Sequence, residues 1–222
     1  ADGILRIVWA GRFIPLKHAE MMPRLAAFLR EHLEEIRKEG IYTDFEIHMA
    51  GSGEMEESLK RETEELGVAD RMIFHGFLPP EEIRHIMERC QIHVFTSNRL
   101  EGWGAVVNEA MNSGCAEVAS AAAGAVPYLI RQGVNGIAYP EDDFMQMAQA
   151  VLSLACNDGK RKEMGRKAME TITGAWNAEH AAGELLRFSE ELLTGDPEGA
   201  DDGPLSPAPV ISERRMYSWM CQ

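Results

Sequence analysis

Basic residues are scarce in this 222-residue chain: 22 Lys and Arg stand against 36 Asp and Glu, for a formal charge of −14. That balance opposes non-specific attraction to nucleic acid or to an anionic membrane surface, so neither is expected as a partner. Long apolar runs are missing as well. No stretch approaches the roughly 18 consecutive apolar residues of a membrane-spanning helix, so no transmembrane segment is expected. The opening Ala1-Asp-Gly-Ile-Leu-Arg6 lacks the basic-then-apolar order of a signal peptide. It runs almost directly into a strand, which suggests a piece cut from something longer. Cys90, Cys115, Cys156 and Cys221 are widely spaced, with no pair at metal-ligand or redox-motif spacing. A disulfide scaffold is thereby disfavoured, and a reducing, cytoplasmic location is expected. Also absent are a P-loop, a Gly-x-Ser-x-Gly elbow, a paired-cysteine zinc motif and an Asp-x-Asp after a strand. No metal is expected. His48, His75 and His93 fall on or at the ends of strands, where a shared site can be imagined, although histidines satisfied within the fold are far commoner.

What the chain does have is alternation. Apolar runs at Leu5–Trp9, Phe45–Met49, Met72–His75, Ile92–Phe95, Glu117–Ser120 and Gly136–Tyr139 read as strands. Between them, three- and four-residue apolar spacing predicts helices over Ala19–Lys38, Glu54–Leu66, Glu81–Cys90, Ala105–Asn112 and Val126–Arg131. Strands alternating with helices imply an α/β fold with a parallel sheet covered on both faces, and right-handed crossovers make it doubly wound and Rossmann-like. Only helices follow, near Asp142–Ala155, Lys160–Thr171 and Glu179–Thr194, expected to pack on the sheet or reach towards a neighbour. The predicted domain therefore covers residues 1–194. Residues 195–222 are rich in Pro, Gly and Asp and read as a mobile extension, whose Tyr217, Trp219 and Met220 are candidates for docking on the body or a partner.

The turns after the strands carry the chemistry. Gly11 permits a sharp turn after the first strand, and Arg12 and Lys17 place a planar fork and a point charge at its carboxyl edge, which suits a diphosphate or describes two solvated surface cations. Gly51 and Gly53 permit close approach of a ligand, or relieve crowding in a plain strand-to-helix turn. Phe77 and Leu78, ahead of two prolines, expose backbone that suits a nucleobase, or belong to a plain helix-starting turn. The segment Glu101-Gly102-Trp103-Gly104-Ala105-Val106-Val107-Asn108-Glu109 places one acid before a glycine-bracketed turn and a second about one helical turn inside. Helix N-termini there favour anions, so the acids either are an exposed helix acid, Glu109, and a partner of the helix dipole, Glu101, or call for a ligand that also carries hydroxyls. A nucleotide sugar has both parts. Arg99 and Trp103 read as a surface and a packing residue.

Taken in order, these turns resemble the C-terminal, nucleotide-sugar-binding half of GT-B-fold glycosyltransferases of the retaining, family-four type, over about Ile4 to Leu193. The pieces are Gly11-Arg12 with Lys17, Ala50-Gly51-Ser52-Gly53, His75-Gly76-Phe77-Leu78-Pro79, Glu101-Gly-x-Gly with Glu109-Ala110-Met111, Ser113-Gly114, Gly124 with Pro127, and Gly133 with Asn135-Gly136. The resemblance implies a UDP- or GDP-sugar as donor and an acceptor sugar or glycan precursor held mainly by an N-terminal domain that this chain lacks. It implies that Arg12 and Lys17 neutralise the diphosphate in place of a metal, that Glu101 sits by the donor sugar and the reacting carbon, and that Glu109 binds the ribose hydroxyls. Backbone N–H groups from Gly102 to Val107 would hold phosphate oxygens and Leu78 would border the base. Retention in that family is ascribed to front-face attack. Two departures stand out: Gly124-Ala125-Val126-Pro127-Tyr128 where the family commonly has Gly-Gly-x-Pro-Glu, and Glu117 within Cys115-Ala116-Glu117-Val118, a charge in an expected strand. A nucleotide-sugar epimerase, a phosphorylase-like domain and a non-catalytic nucleotide-sugar-binding module remain the alternatives.

Overall fold

Seven residues, Ile4–Ala10, form the central strand β1, with Leu5, Ile7 and Trp9 buried on one face and Val8 and Ala10 on the other. Both faces are apolar because both are covered, as a parallel sheet requires. The computed structural model describes residues 2–195 and 197–207. After β1, helices α1 (Met21–Glu31) and α2 (Leu33–Glu39) lead to β2 (Asp44–Ala50), and α3 (Glu56–Glu65) to β3 (Met72–Gly76). Then come α4 (Pro80–Met87), β4 (Ile92–Phe95), α5 (Ala105–Asn112), β5 (Ala116–Ser120), α6 (Val126–Leu129) and β6 (Gly136–Tyr139). Helices α7 (Phe144–Cys156), α8 (Asp158–Gly174) and α9 (Ala178–Thr194) follow. The six strands are all parallel, in the order β3-β2-β1-β4-β5-β6.

That order turns back between β1 and β4, so the helices that follow these two strands cover opposite faces and a crevice opens at the carboxyl edge between them. One main core lies under α1, α2 and α7, where Leu25, Leu29, Val151 and Leu154 meet Ile7, Ile47 and Val94. On the other face Val107 and Met111 of α5 pack with Phe95, Ala119 and Ala138.

The helix expected as one piece over Ala19–Lys38 is two, divided at His32. The His32 ring stacks on Phe28 and its Nδ1 lies 2.8 Å from the Phe28 carbonyl oxygen, so a side chain engages a carbonyl that would otherwise serve only the helix ladder. Glu117, the charge in an expected strand, is fully buried and pairs with His93, its direct neighbour across β4 and β5, at 2.8 Å from Nδ1 to Oε1. Burial holds its carboxyl above the ordinary value, with His93 offsetting only part of that rise. Residues 197–207 return along α9: Glu198 bonds Glu191 and Arg187, and Asp202 pairs with Arg131. The docking expected of Tyr217, Trp219 and Met220 lies outside the described residues, as does Cys221.

Candidate functional site

The loop leaving β1 and the loop leaving β4 meet over the crevice. Gly11 N–H donates to Ala50 O at 3.0 Å, and Phe13 N–H to Ser52 O at 2.9 Å, which lays the β1 loop directly against the β2 loop. A Cβ on Gly51, at φ 146°, would collide with the Gly11 carbonyl, and one on Gly53 with the Phe13 backbone. These two glycines permit loop against loop. They fix where Arg12 and Lys17 can sit, a use that the glycine spacing alone does not reveal. Gly104, at φ 88°, lets the turn before α5 ride on the Phe95 ring, while Gly102 has open space and its carbonyl packs against Gly124.

Lys17, at the end of a 3₁₀ turn over Pro15–Lys17, reaches Glu101 and forms an ion pair with Oε2, each side chain 16% exposed. Ser97 Oγ donates to the same oxygen at 3.2 Å. Arg12 is exposed, with no ion-pair partner among the described residues. Ala105 and Val106 open α5, and their amides find no acceptor among the described residues, whereas Val107 N–H bonds Gly104 O at 2.9 Å. Two cations, one carboxylate and free amides at a helix start thus share one edge.

Glu109 stands apart from that group. It is exposed on α5 and borders a groove of about 310 Å³ against α4, with Pro80, Glu81, Arg84, Met87 and Asn112. Phe77 is 82% exposed, and Leu78 borders a separate hollow with His75 and His85. Trp103 packs: its ring stacks on Tyr128 at 5.9 Å, contacts Trp176 at 5.8 Å, and donates from Nε1 to Asn108. Tyr128 stands where the resembled pattern has an acid, so an aromatic wall replaces a carboxylate there. Arg99 turns away, its amide bonded to Glu141.

The histidines divide. His48 and His75, on adjacent strands, approach at 2.9 Å, and burial lowers the pKa of both, whereas His93 is committed to Glu117. Among the described residues no group of three His, Cys, Asp or Glu side chains is arranged to hold a metal ion. Burial pushes the Cys90 thiol up to about 12 and Cys115 well above its ordinary value, so neither is a thiolate nucleophile near neutral pH. Among the described residues no helix is long and apolar enough to cross a membrane.

The residues missed from sequence lie beneath the crevice. Thr96, Asn98 and His18 tie the two loops together, and only the sheet order, which sets β4 beside β1, brings them into contact; Ser97 instead holds Glu101 from within the β4 loop.

Over residues 5–171 the chain matches the family described as glycosyl transferases group 1. The chain belongs to that family. Among curated relatives, the amylovoran biosynthesis glycosyltransferase AmsK of Erwinia amylovora is 28% identical over 153 residues, which is 67% of this chain and 37% of that protein. A D-inositol 3-phosphate glycosyltransferase of Nocardia farcinica is 26% identical over 93% of this chain and 46% of its own length. This family member spans less than half the length of either relative. Among solved structures, the C-terminal domain of the group 1 glycosyl transferase LpcC from Francisella tularensis superposes with a TM-score of 0.66, at 24% identity, over 76% of this chain and 84% of that one. The Anabaena protein HepE, solved in complex with UDP, gives 0.69 at 20% identity, over 86% of this chain and 49% of that one. At such identities the likeness concerns the fold: a group 1 glycosyltransferase half-domain of the GT-B kind.

Proposed function

We propose that this chain is the donor-binding half of a retaining glycosyltransferase that moves a sugar from a UDP- or GDP-sugar to an acceptor without a metal ion. The observation that carries the reading is the meeting of Lys17 and Glu101 at the sheet's switch point, beside Arg12 and the free amides of Ala105 and Val106. Arg12 and Lys17 take the diphosphate, with backbone N–H groups from Gly102 to Val106 on its oxygens; the Val107 N–H expected among them is taken by Gly104 O. Glu101 faces the donor sugar, Glu109 the ribose hydroxyls, and the Phe77–Leu78 backbone borders the base. The UDP complex of the Anabaena neighbour favours uridine.

Departure of a nucleoside diphosphate builds negative charge on phosphate and positive charge on the anomeric carbon, so cations fixed at the phosphate and a carboxylate at the sugar both act where charge develops. A unit pair at ~4 Å and an effective dielectric of ~20 interacts by about 4 kcal/mol, a partial share of the roughly 8–23 kcal/mol by which enzymes lower barriers. Lys17 carries three donors and so can keep Glu101 while contacting a phosphate oxygen. The group that orients the sugar and the group that takes the leaving charge are thereby coupled.

Acceptor binding belongs to a second half. The relatives' greater length supports this, and so does α9, which among the described residues buries no side chain and exposes Leu185, Leu186, Leu192 and Leu193 along one face. An apolar stripe of that width ordinarily faces a neighbouring body. A reducing cytoplasm suits the unpaired Cys90, Cys115 and Cys156.

Calorimetric titration with UDP and GDP tests the reading. Saturable binding of one of them, weakened in Arg12→Ala and Glu109→Ala, is expected; no saturable binding of either sinks it. The 222-residue chain alone is expected to transfer sugar poorly, since no second wall keeps water from the reacting carbon. Rapid transfer by the purified chain would overturn that expectation.

A further inference from the structure

Beneath Lys17 runs a short relay that the donor-binding reading leaves unexplained. Trp9, 2% exposed in β1 and stacked on Phe13 at 5.4 Å, donates from Nε1 to Thr96 Oγ1 at 2.8 Å. Thr96, 3% exposed at the end of β4, in turn donates its hydroxyl proton to the Lys17 carbonyl. A hydroxyl has one proton. With the indole N–H on one of its lone pairs, that proton is left for the Lys17 carbonyl, and each bond polarises the other in a buried site. The relay thus runs from the rigid centre of the sheet to the backbone of the residue whose ammonium meets Glu101.

The surrounding contacts show why such a tether is needed. Lys17 is followed by His18 at φ 48° and ψ 42°, a left-handed conformation that a non-glycine residue keeps only where its surroundings impose it. The β4 loop imposes it through Asn98, whose N–H donates to Leu16 O at 3.0 Å and whose side-chain nitrogen lies 3.2 Å from His18 Nε2. Asn98 grips the residues either side of Lys17. Thr96 grips Lys17 itself, and the adjacent Ser97 donates to Glu101, the partner of the Lys17 ammonium. Consecutive side chains of one segment thus position both members of the ion pair.

We propose that Thr96 is a positioning residue, which fixes the Lys17 backbone and thereby aims its ammonium at the donor's diphosphate; the second clause rests on the donor-binding reading above. Thr96→Val keeps the shape and removes the hydroxyl, leaving both the Trp9 N–H and the Lys17 carbonyl without this partner. Thr96→Ser restores it.

The test uses the whole chain and two readouts. In the ligand-free protein, amide exchange at Lys17 and His18, whose N–H groups bond Ile14 O and Pro15 O, is expected to quicken about tenfold in Thr96→Val and to return in Thr96→Ser, while exchange at Ile47 and Leu25 stays unchanged. UDP affinity is expected to fall about tenfold in Thr96→Val, to recover in Thr96→Ser, and to fall no further when Thr96→Val is added to Lys17→Met. Unchanged exchange at Lys17 in Thr96→Val overturns the proposal. So does quickening spread evenly through the core, or additive losses in the double variant. Should Thr96→Val not fold, Thr96→Cys, a weak donor, is read in its place by the same criteria. A wild-type chain that binds neither UDP nor GDP removes the donor-binding reading and with it the aim at a diphosphate, and the exchange comparison then decides the tether by itself.

Discussion

Lys17–Glu101 and His93–Glu117 are both pairs of a nitrogen base and a carboxylate built around β4, and they differ in where they stop along the strand. His93 and Glu117 lie within the sheet at 0% exposure, direct neighbours across two strands, with α5 packed over that face. Lys17 and Glu101 lie past the strand ends at 16% exposure, each carried by a loop. The sealed pair is closed to ligands: its one contact is Nδ1 to the carboxylate, and His93 Nε2 finds no partner among the described residues. At the edge, a pair can exchange part of its bonding for an incoming anion or hydroxyl, because water already competes there. Eight residues along one segment, from His93 to Glu101, thus separate a structural acid–base pair from a candidate binding pair.

The sharpest way to break this comparison is to unpair the sealed acid. His93→Leu is expected to destabilise the chain by about 3–5 kcal/mol in urea unfolding, because a buried carboxylate is left alone, and His93→Leu with Glu117→Leu is expected to regain most of that loss. A loss below about 1 kcal/mol for His93→Leu would show that Glu117 has other support.

The matching change at the edge should move binding instead. Lys17→Met is expected to weaken UDP binding by about 1.5–3 kcal/mol, roughly ten- to a hundredfold, with stability changed by less than about 1 kcal/mol. Equal losses of stability in Lys17→Met and His93→Leu would erase the distinction between the pairs. A smaller effect is expected for Glu109→Gln, about 1 kcal/mol in UDP affinity, and none with a UDP lacking both ribose hydroxyls. Persistence of the Glu109→Gln effect with that analogue would place Glu109 elsewhere on the ligand.

His48 and His75 supply the weakest contrast, an intermediate pair near the sheet's β3 edge. Burial holds both below the ordinary histidine value, so the folded state binds fewer protons there than the unfolded state. Their contribution is therefore present above about pH 6.5 and is lost as pH falls below it. The urea midpoint should drop on acidification through that range, and drop less in His75→Gln. An unchanged pH slope in His75→Gln would remove these histidines from the acid response.

Much of the fold was legible because parallel strands read as short apolar runs and the helices between them as periodic ones; β4, α5 and β6 fall where the pattern places them. The break at His32 was not, since it depends on a ring reaching the carbonyl of Phe28. At the site, Arg12, Lys17, Glu101 and the α5 turn announce themselves by residue type and by position after a strand. Their contacts do not. Lys17 and Glu101 are 84 residues apart, and the sheet order that joins their loops is set by crossovers rather than by local spacing. The partner of Glu117 was hidden for the same reason, because cross-strand register exists only once β4 and β5 are aligned. The glycines were legible only in part: a Gly-x-Gly turn advertises close approach, and the sequence does not say that the neighbouring loop comes close to Gly51 and Gly53.

The central claim, that the edge pair meets a donor nucleotide and the sealed pair does not, is tested most directly by mapping backbone amide shifts as UDP is added to the ligand-free chain. The account predicts saturable changes at residues 12–18, 101–107 and 109, with His93 and Glu117 still. Saturation with the changes confined elsewhere, or no change at the edge at all, would contradict it.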